Sequence, residues 1–284
     1  MLNRRLGFSL LEIMLTLLLS SILLATVMSA YSNITKIYKA EITLANFQDN
    51  ARLASYILMQ NIRNSGYGGC AKTNIKDGIR GYDVNHLPFY LRDKSIVTGS
   101  DTLVIKKADA NITSLTQNVA TKSSSIKVKN NPATQSNAWL LISDCEHADL
   151  VAAKNFTGNT ISLTTTVSHA YKMADAEVAQ FNEISYFISP TSNVDANGKT
   201  IYALYKIING SMNASAHKME LVDGIVNMQI QYGVDISGNG IPDAYYFSSQ
   251  IKDWSKVKSV RIVLYMPYEG QIKQIPVYVA LRNN

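Results

Sequence analysis

From Ile13 to Thr35 the chain carries no charged residue, a run of 23 positions bounded by Glu12 and Lys36. At 1.5 Å per residue, such a run is long enough for a helix to cross a hydrocarbon core about 30 Å thick. Beyond it the pattern changes. Apolar residues recur at Ile34, Ile37, Leu44, Phe47, Ala51, Ala54, Ile57, Leu58 and Ile62, mostly in steps of three, four or seven. Lys36, Lys39, Glu41, Asn46, Asp49, Asn50, Gln60, Asn61 and Arg63 fill the positions between. That is the stripe of an amphipathic helix. Ser65-Gly66-Tyr67-Gly68-Gly69 marks its end, since no helix continues through that many glycines. The pattern predicts one helix from Phe8 to Asn64, roughly 85 Å long. Its first half is membrane-length, and its second half needs a soluble head to cover its apolar face.

After Cys70 the period shortens to that of strands, with Val, Ile, Tyr and Thr in short runs between turn residues. Strands are predicted at 102–106, 125–129, 139–143, 150–153, 160–164, 183–188, 201–207, 226–232, 257–265 and 277–281. Gly158-Asn159 and Asn197-Gly198 are hairpin turn signals. Residues 118–137 are rich in Ser, Thr and Asn and hold one weak strand, so this stretch is expected to be exposed. The fold class is α+β: one long N-terminal helix packed on an antiparallel, β-rich head.

Glu12 is the residue that needs a chemical account. A carboxylate at the front of a membrane-length segment is costly and calls for a partner. Cleavage between Gly7 and Phe8 would supply one, because Phe8 would gain a positively charged α-amine. Glu12 lies four residues on, one turn along the same helix face. The amine of the same chain or of a neighbouring helix would then neutralise it. Arg4 and Arg5 precede the cut, and no Cys lies near for a lipid anchor. A secretory signal peptide would have a shorter apolar core and a small-residue cut site after it. Met28 stands where a small residue would be wanted. A plain signal anchor leaves Glu12 without a purpose. The stretch resembles the type IV prepilin signal: a short basic leader, Gly at the cut, Phe first, Glu fifth, then an apolar helix. The resemblance implies a leader at 1–7, a transmembrane and assembly half at 8–31, an amphipathic half at 32–66 and a head at 67–284. It also implies removal of the leader and methylation of the new amine by a prepilin peptidase.

Net charge is +6, or +4 once Arg4 and Arg5 are lost with the leader, and it is spread along the chain. No basic stripe is interleaved with aromatics, so nucleic-acid binding is not indicated. Charged residues make up only 17% of the chain, which suits an extracytoplasmic β-rich protein better than a cytosolic enzyme. The two cysteines, Cys70 and Cys145, are expected to pair in an exported chain, whereas in a cytosolic one they would be two buried thiols. Three further blocks resemble the PilW family of minor pilins. The first runs from Asp49-Asn50-Ala51-Arg52 through Ile62-Arg63 to Gly66-Tyr67-Gly68-Gly69-Cys70. The second is Leu141-Ile142-Ser143-Asp144-Cys145 with Ala148-Asp149-Leu150, and the third lies within 221–265. Asp49 and Ala51 depart mildly from the family's more usual Glu and Gly. The second block supplies the other half of the expected disulfide, which would tie the end of the helix to the sheet.

Asp235, Ser237, Asn239, Ile241 and Asp243, with Gly240 sixth, follow the spacing of the start of a calcium loop. Only two of these residues are carboxylates, and Tyr246 stands where a bidentate Glu would be. An Asn- and Gly-rich turn closed by its own side chains fits the same residues. His86, His147, His169 and His217 make no metalloprotease motif, and no nucleophile elbow or phosphate loop is present, so catalysis is not expected. The resemblance implies a minor pilin in the inner membrane with a periplasmic head, which then enters a pilus on the cell surface. Its implied partners are other minor pilins and the major pilin. A type II secretion pseudopilin of the GspJ-like kind shares the same N-terminal physics. A membrane-tethered adhesin or ligand-binding module is the more distant alternative.

Overall fold

In the computed structural model the described residues are 9–69, 78–133, 137–195, 197–209 and 217–282. They form two compact units, 1–49 and 50–284. A single helix, α1 (Leu10–Arg63), contributes to both.

Within the second unit, α1 buries Ala51, Ala54, Leu58 and Ile62, which recur at steps of three and four. Leu58 and Ile62 are wholly inaccessible, and burying each contributes about 1.5–3 kcal/mol. Polar contacts flank this stripe. Asn50 donates to Asp223 Oδ1 at 2.6 Å, and Lys107 Nζ donates to Asn61 Oδ1 at 2.9 Å. The helix ends as its glycines predict. Gly66 adopts φ of +72°, which only glycine takes without strain, and its N–H reaches the carbonyl of Lys106. The upper part of the predicted stripe is not covered: Ile34, Ile37 and Leu44 are exposed. Helical spacing identifies an apolar face but not what buries it.

The head has thirteen described strands in two antiparallel sheets. The first sheet holds β1 (Ile79–Tyr82), β2 (Thr102–Ser114), β3 (Ser125–Lys127), β4 (Trp139–Ser143), β5 (Ala148–Thr157), β6 (Thr160–Leu163), β7 (Glu177–Val194), β8 (Thr200–Ile208) and β9 (Met219–Asp223). β7 organises it. One edge of this 18-residue strand pairs with β2 along most of its length. The other edge pairs with β4 near its start and with β8 further on. The second sheet has the order β11 (Ala244–Tyr246), β10 (Asn227–Val234), β12 (Val257–Tyr268), β13 (Gln271–Ala280). β12 and β13 are joined across Glu269 and Gly270, both at positive φ, as a two-residue hairpin requires.

All ten predicted strands are present, and three were missed. β1 contains a glycine, β11 is three residues long, and β9 is largely exposed on its outer positions. Each is held by a partner strand rather than by its own pattern. Most of the described residues in 118–137 are exposed, as expected, but several apolar ones are not. Val119, Ile126, Val128 and Ala133 are buried in the same apolar cluster as Leu140, Val151 and Ile161. The polar composition of that stretch hid four inward-facing side chains.

Gly81 shows why β1 carries a glycine. A Cβ there would overlap the hydroxyl and ring of Tyr232, which is completely buried on β10. Gly81→Ala is therefore expected to destabilise by about 1–3 kcal/mol. The Tyr232 hydroxyl has no hydrogen-bond partner among the described residues. Tyr232→Phe is expected to be near neutral alone and to recover part of the Gly81→Ala loss. Urea denaturation of the four chains measures this.

Candidate assembly site

In the first unit α1 opens on the carbonyl of Ser9, which accepts the N–H groups of Glu12 and Ile13. Glu12 lies in the first turn, where the helix dipole favours negative charge, and it is exposed. Gly7 and Phe8 lie outside the described residues. From Leu10 to Met28 every large apolar side chain is at least half exposed. This is the one described helix long and apolar enough to cross a membrane, with a mean hydropathy of 2.3 over its most apolar window. Three of its hydroxyl side chains bond back to the helix backbone. The Thr16, Ser21 and Thr26 hydroxyls donate to the carbonyls of Ile13, Leu18 and Leu23 at 2.8–2.9 Å. A segment in lipid has to satisfy its hydrogen bonds internally in this way.

Cys145 follows β4 and is disulfide-bonded. Cys70 lies outside the described residues. Its neighbour Gly69, at φ of +82°, sits so close to β4 that a Cβ would overlap Ser143 Oγ. The backbone just after α1 is thus pressed against the strand that leads to Cys145.

The loop between β10 and β11 is closed by its own side chains. Asp235 accepts the N–H groups of Gly238, Asn239 and Gly240 at 2.6, 3.2 and 2.8 Å. Asp243 Oδ2 accepts those of Ile236 and Ser237, and Asn239 Oδ1 accepts that of Ile241. Desolvation acts upward on the Asp235 carboxyl, but the Gly240, Gly238 and Asn239 amides outweigh it and hold the group below its ordinary range. Both carboxylates also meet the Ser237 hydroxyl, at 3.5 and 3.2 Å.

Two histidines read as scattered are brought together. The His147 and His169 rings stack at 4.5 Å, and each Nδ1 faces a carboxylate: Asp144 at 3.7 Å and Asp149 at 2.9 Å. Asp149 also accepts the N–H groups of Ser168 and His169. No group of three or more His, Cys, Asp or Glu residues among the described residues has metal-site geometry.

Asp101 was not singled out by the sequence. Its N–H donates to Met228 O and its carboxylate accepts from Ile230 N, so it stitches the start of β2 to β10 across the two sheets. Desolvation pushes its pKa up to about 6 against the pull of the Ile230 amide. A folded value above the unfolded one, about 3.9, means the fold favours the protonated form. Its stabilising contribution is complete below about pH 4 and is lost as pH rises through about 6. Asp101→Asn is expected to be more stable than the parent at pH 7, by about 1–2 kcal/mol after discounting for solvent that still reaches the group. The gap should close toward pH 4. Urea melts of the detergent-purified chain at both pH values measure it.

The helix and the two-sheet head define an α+β protein with a membrane-length N-terminal element. Residues 185–273 match the family model of PilW, type IV pilus-assembly protein W. This segment, from the second half of β7 to the start of β13, is similar to the PilW family, and the match supports involvement in type IV pilus assembly. The match takes in the third of the sequence blocks, whereas the two around Cys70 and Cys145 lie outside it. No curated protein matches the chain. Among solved structures it is similar to the Gp54 tailspike of Acinetobacter baumannii bacteriophage AP22 in complex with A. baumannii capsular saccharide. That likeness covers 28% of this chain and 15% of the tailspike chain, at 17% identity and a TM-score of 0.24, and carries no argument.

Proposed function

We propose that this chain is a minor pilin that enters a type IV pilus through α1 and helps to start its assembly. One observation carries the reading: a lone carboxylate in the first turn of a lipid-length helix, in a chain whose residues 185–273 match the PilW family model. Before assembly the helix crosses the inner membrane once, with the head in the periplasm. A prepilin peptidase cuts between Gly7 and Phe8, and Glu12 accepts the new amine of the chain or of a neighbouring pilin. In lipid such association relies on close packing and polar pairs rather than on a hydrophobic drive. The head then selects among other minor pilins and the major pilin. The experiment is an immunoblot of sheared, washed pili. The protein is expected there, and its absence from pili that are otherwise intact overturns the reading.

The Cys70–Cys145 disulfide and a calcium ion held by Asp235, Ser237, Asn239, Ile241 and Asp243 belong to the same proposal. The loop's two carboxylates converge on one hydroxyl, which a cation would favour. With only two charges the affinity falls in the range of extracellular modules, about 0.1–1 mM. Calcium at a few times that level is expected to raise the melting temperature above its value in chelator. An unchanged value means the loop is closed by its hydrogen bonds alone.

A further inference from the structure

A cleft of about 290 Å³ opens beside β11 at the end of the second sheet. Val234, Ile236 and Ile251 give it apolar walls, and Lys252 and Lys256 also line it. Neither ammonium makes an ion pair or hydrogen bond among the described residues. Asp253, the acidic residue at the cleft, feels the charge of Lys256 but forms no ion pair with either ammonium. Its Oδ1 accepts the N–H and the hydroxyl of Ser255, at 3.0 and 2.6 Å. The apolar character continues along the chain beyond the cleft, for Ile241, Tyr245 and Phe247 are all exposed. Large apolar side chains gathered at a surface and edged by unpaired charge mark an interaction site rather than ordinary surface.

We propose that this cleft docks a segment of another pilus component that presents an aliphatic side chain next to a carboxylate. The inference rests on the pilus role proposed above. The aliphatic group would displace water from the Val234, Ile236 and Ile251 walls. The carboxylate would meet two ammonium groups that make no hydrogen bond or ion pair among the described residues, and desolvating them together makes the contact selective. A basic segment would be repelled. A nucleic-acid strand needs an extended basic track with successive stacking platforms, and the cleft offers two ammoniums, one carboxylate and a single ring, that of Tyr246.

The test places a photo-reactive p-benzoylphenylalanine at Gln250, which lines the cleft, in the full chain expressed in piliated cells. The expected adduct is with a pilus component, through a peptide carrying Asp or Glu beside Leu, Ile or Val. Lys252→Glu with Lys256→Glu should lower the adduct by about tenfold or more. Lys252→Gln with Lys256→Gln should lower it less. The melting temperature and the membrane fraction should be unchanged. No adduct, an adduct indifferent to charge reversal, or a peptide without a carboxylate overturns the inference. If the chain is found in sheared pili in any of those cases, only the docking surface has failed. Absence of the chain from pili overturns the pilus reading itself.

Discussion

Glu12→Leu is expected to remove the protein from pili while leaving it in the membrane. The carboxylate sits in the first turn of a helix whose next 23 residues are uncharged. Placing an acidic side chain in lipid costs up to about 2.5–3.5 kcal/mol at mid-membrane and less near the end of a helix. Leucine removes that cost, so a helix that served only as a tether would be anchored at least as well. An assembly subunit would lose the group that meets a terminal amine. Leaving the partner charge of a buried pair unmatched costs about 3–5 kcal/mol, or more than about a hundredfold in an equilibrium. Quantitative blots of membrane and sheared-pilus fractions separate the outcomes. Unchanged membrane signal with loss from pili supports the ion pair. Equal incorporation of parent and variant returns α1 to the status of an anchor.

Cys145→Ser carries the second large effect, this time on stability. Cys145 is disulfide-bonded. A bridge to Cys70 would close a loop of about 75 residues, worth about 4 kcal/mol on the loop-entropy model. That is a large share of the roughly 5–15 kcal/mol that holds a typical domain together. A single serine substitution at either position should lower the unfolding free energy read from urea melts by this amount, and so should reducing the parent. The double variant should be no less stable than either single one, because a bond can be lost only once. Additive losses would mean that the two sulfurs do not share a bond.

The sequence made the helix legible because its two halves answer to different solvents. An uncharged run long enough for lipid and a periodic stripe are both written in one dimension. The stripe could not say what covers it: Ala51, Ala54, Leu58 and Ile62 are buried, whereas Ile34, Ile37 and Leu44 on the same periodic pattern are exposed. Strands with steady alternation and clear turns were equally readable, and the predicted strand at 139–143 coincides with β4. The strand bearing Gly81 was not, since its glycine is explained only by Tyr232, some 150 residues away in the other sheet. Asp101 was missed for the same reason. Its burial and raised pKa come from β10 and not from its sequence neighbours. The side chains near residue 240 were legible as a loop from their spacing alone, and the structure adds that their oxygens point at backbone amides. The cleft with Lys252 and Lys256 left no mark in the sequence, because its walls come from residues on both sides of that loop.

The minor-pilin account stands or falls on whether the chain is cut after Gly7, and intact mass spectrometry of the native protein reads this directly. The account predicts a chain that begins at Phe8 with a methyl group on its amine. A native chain that retains residues 1–7 would contradict it.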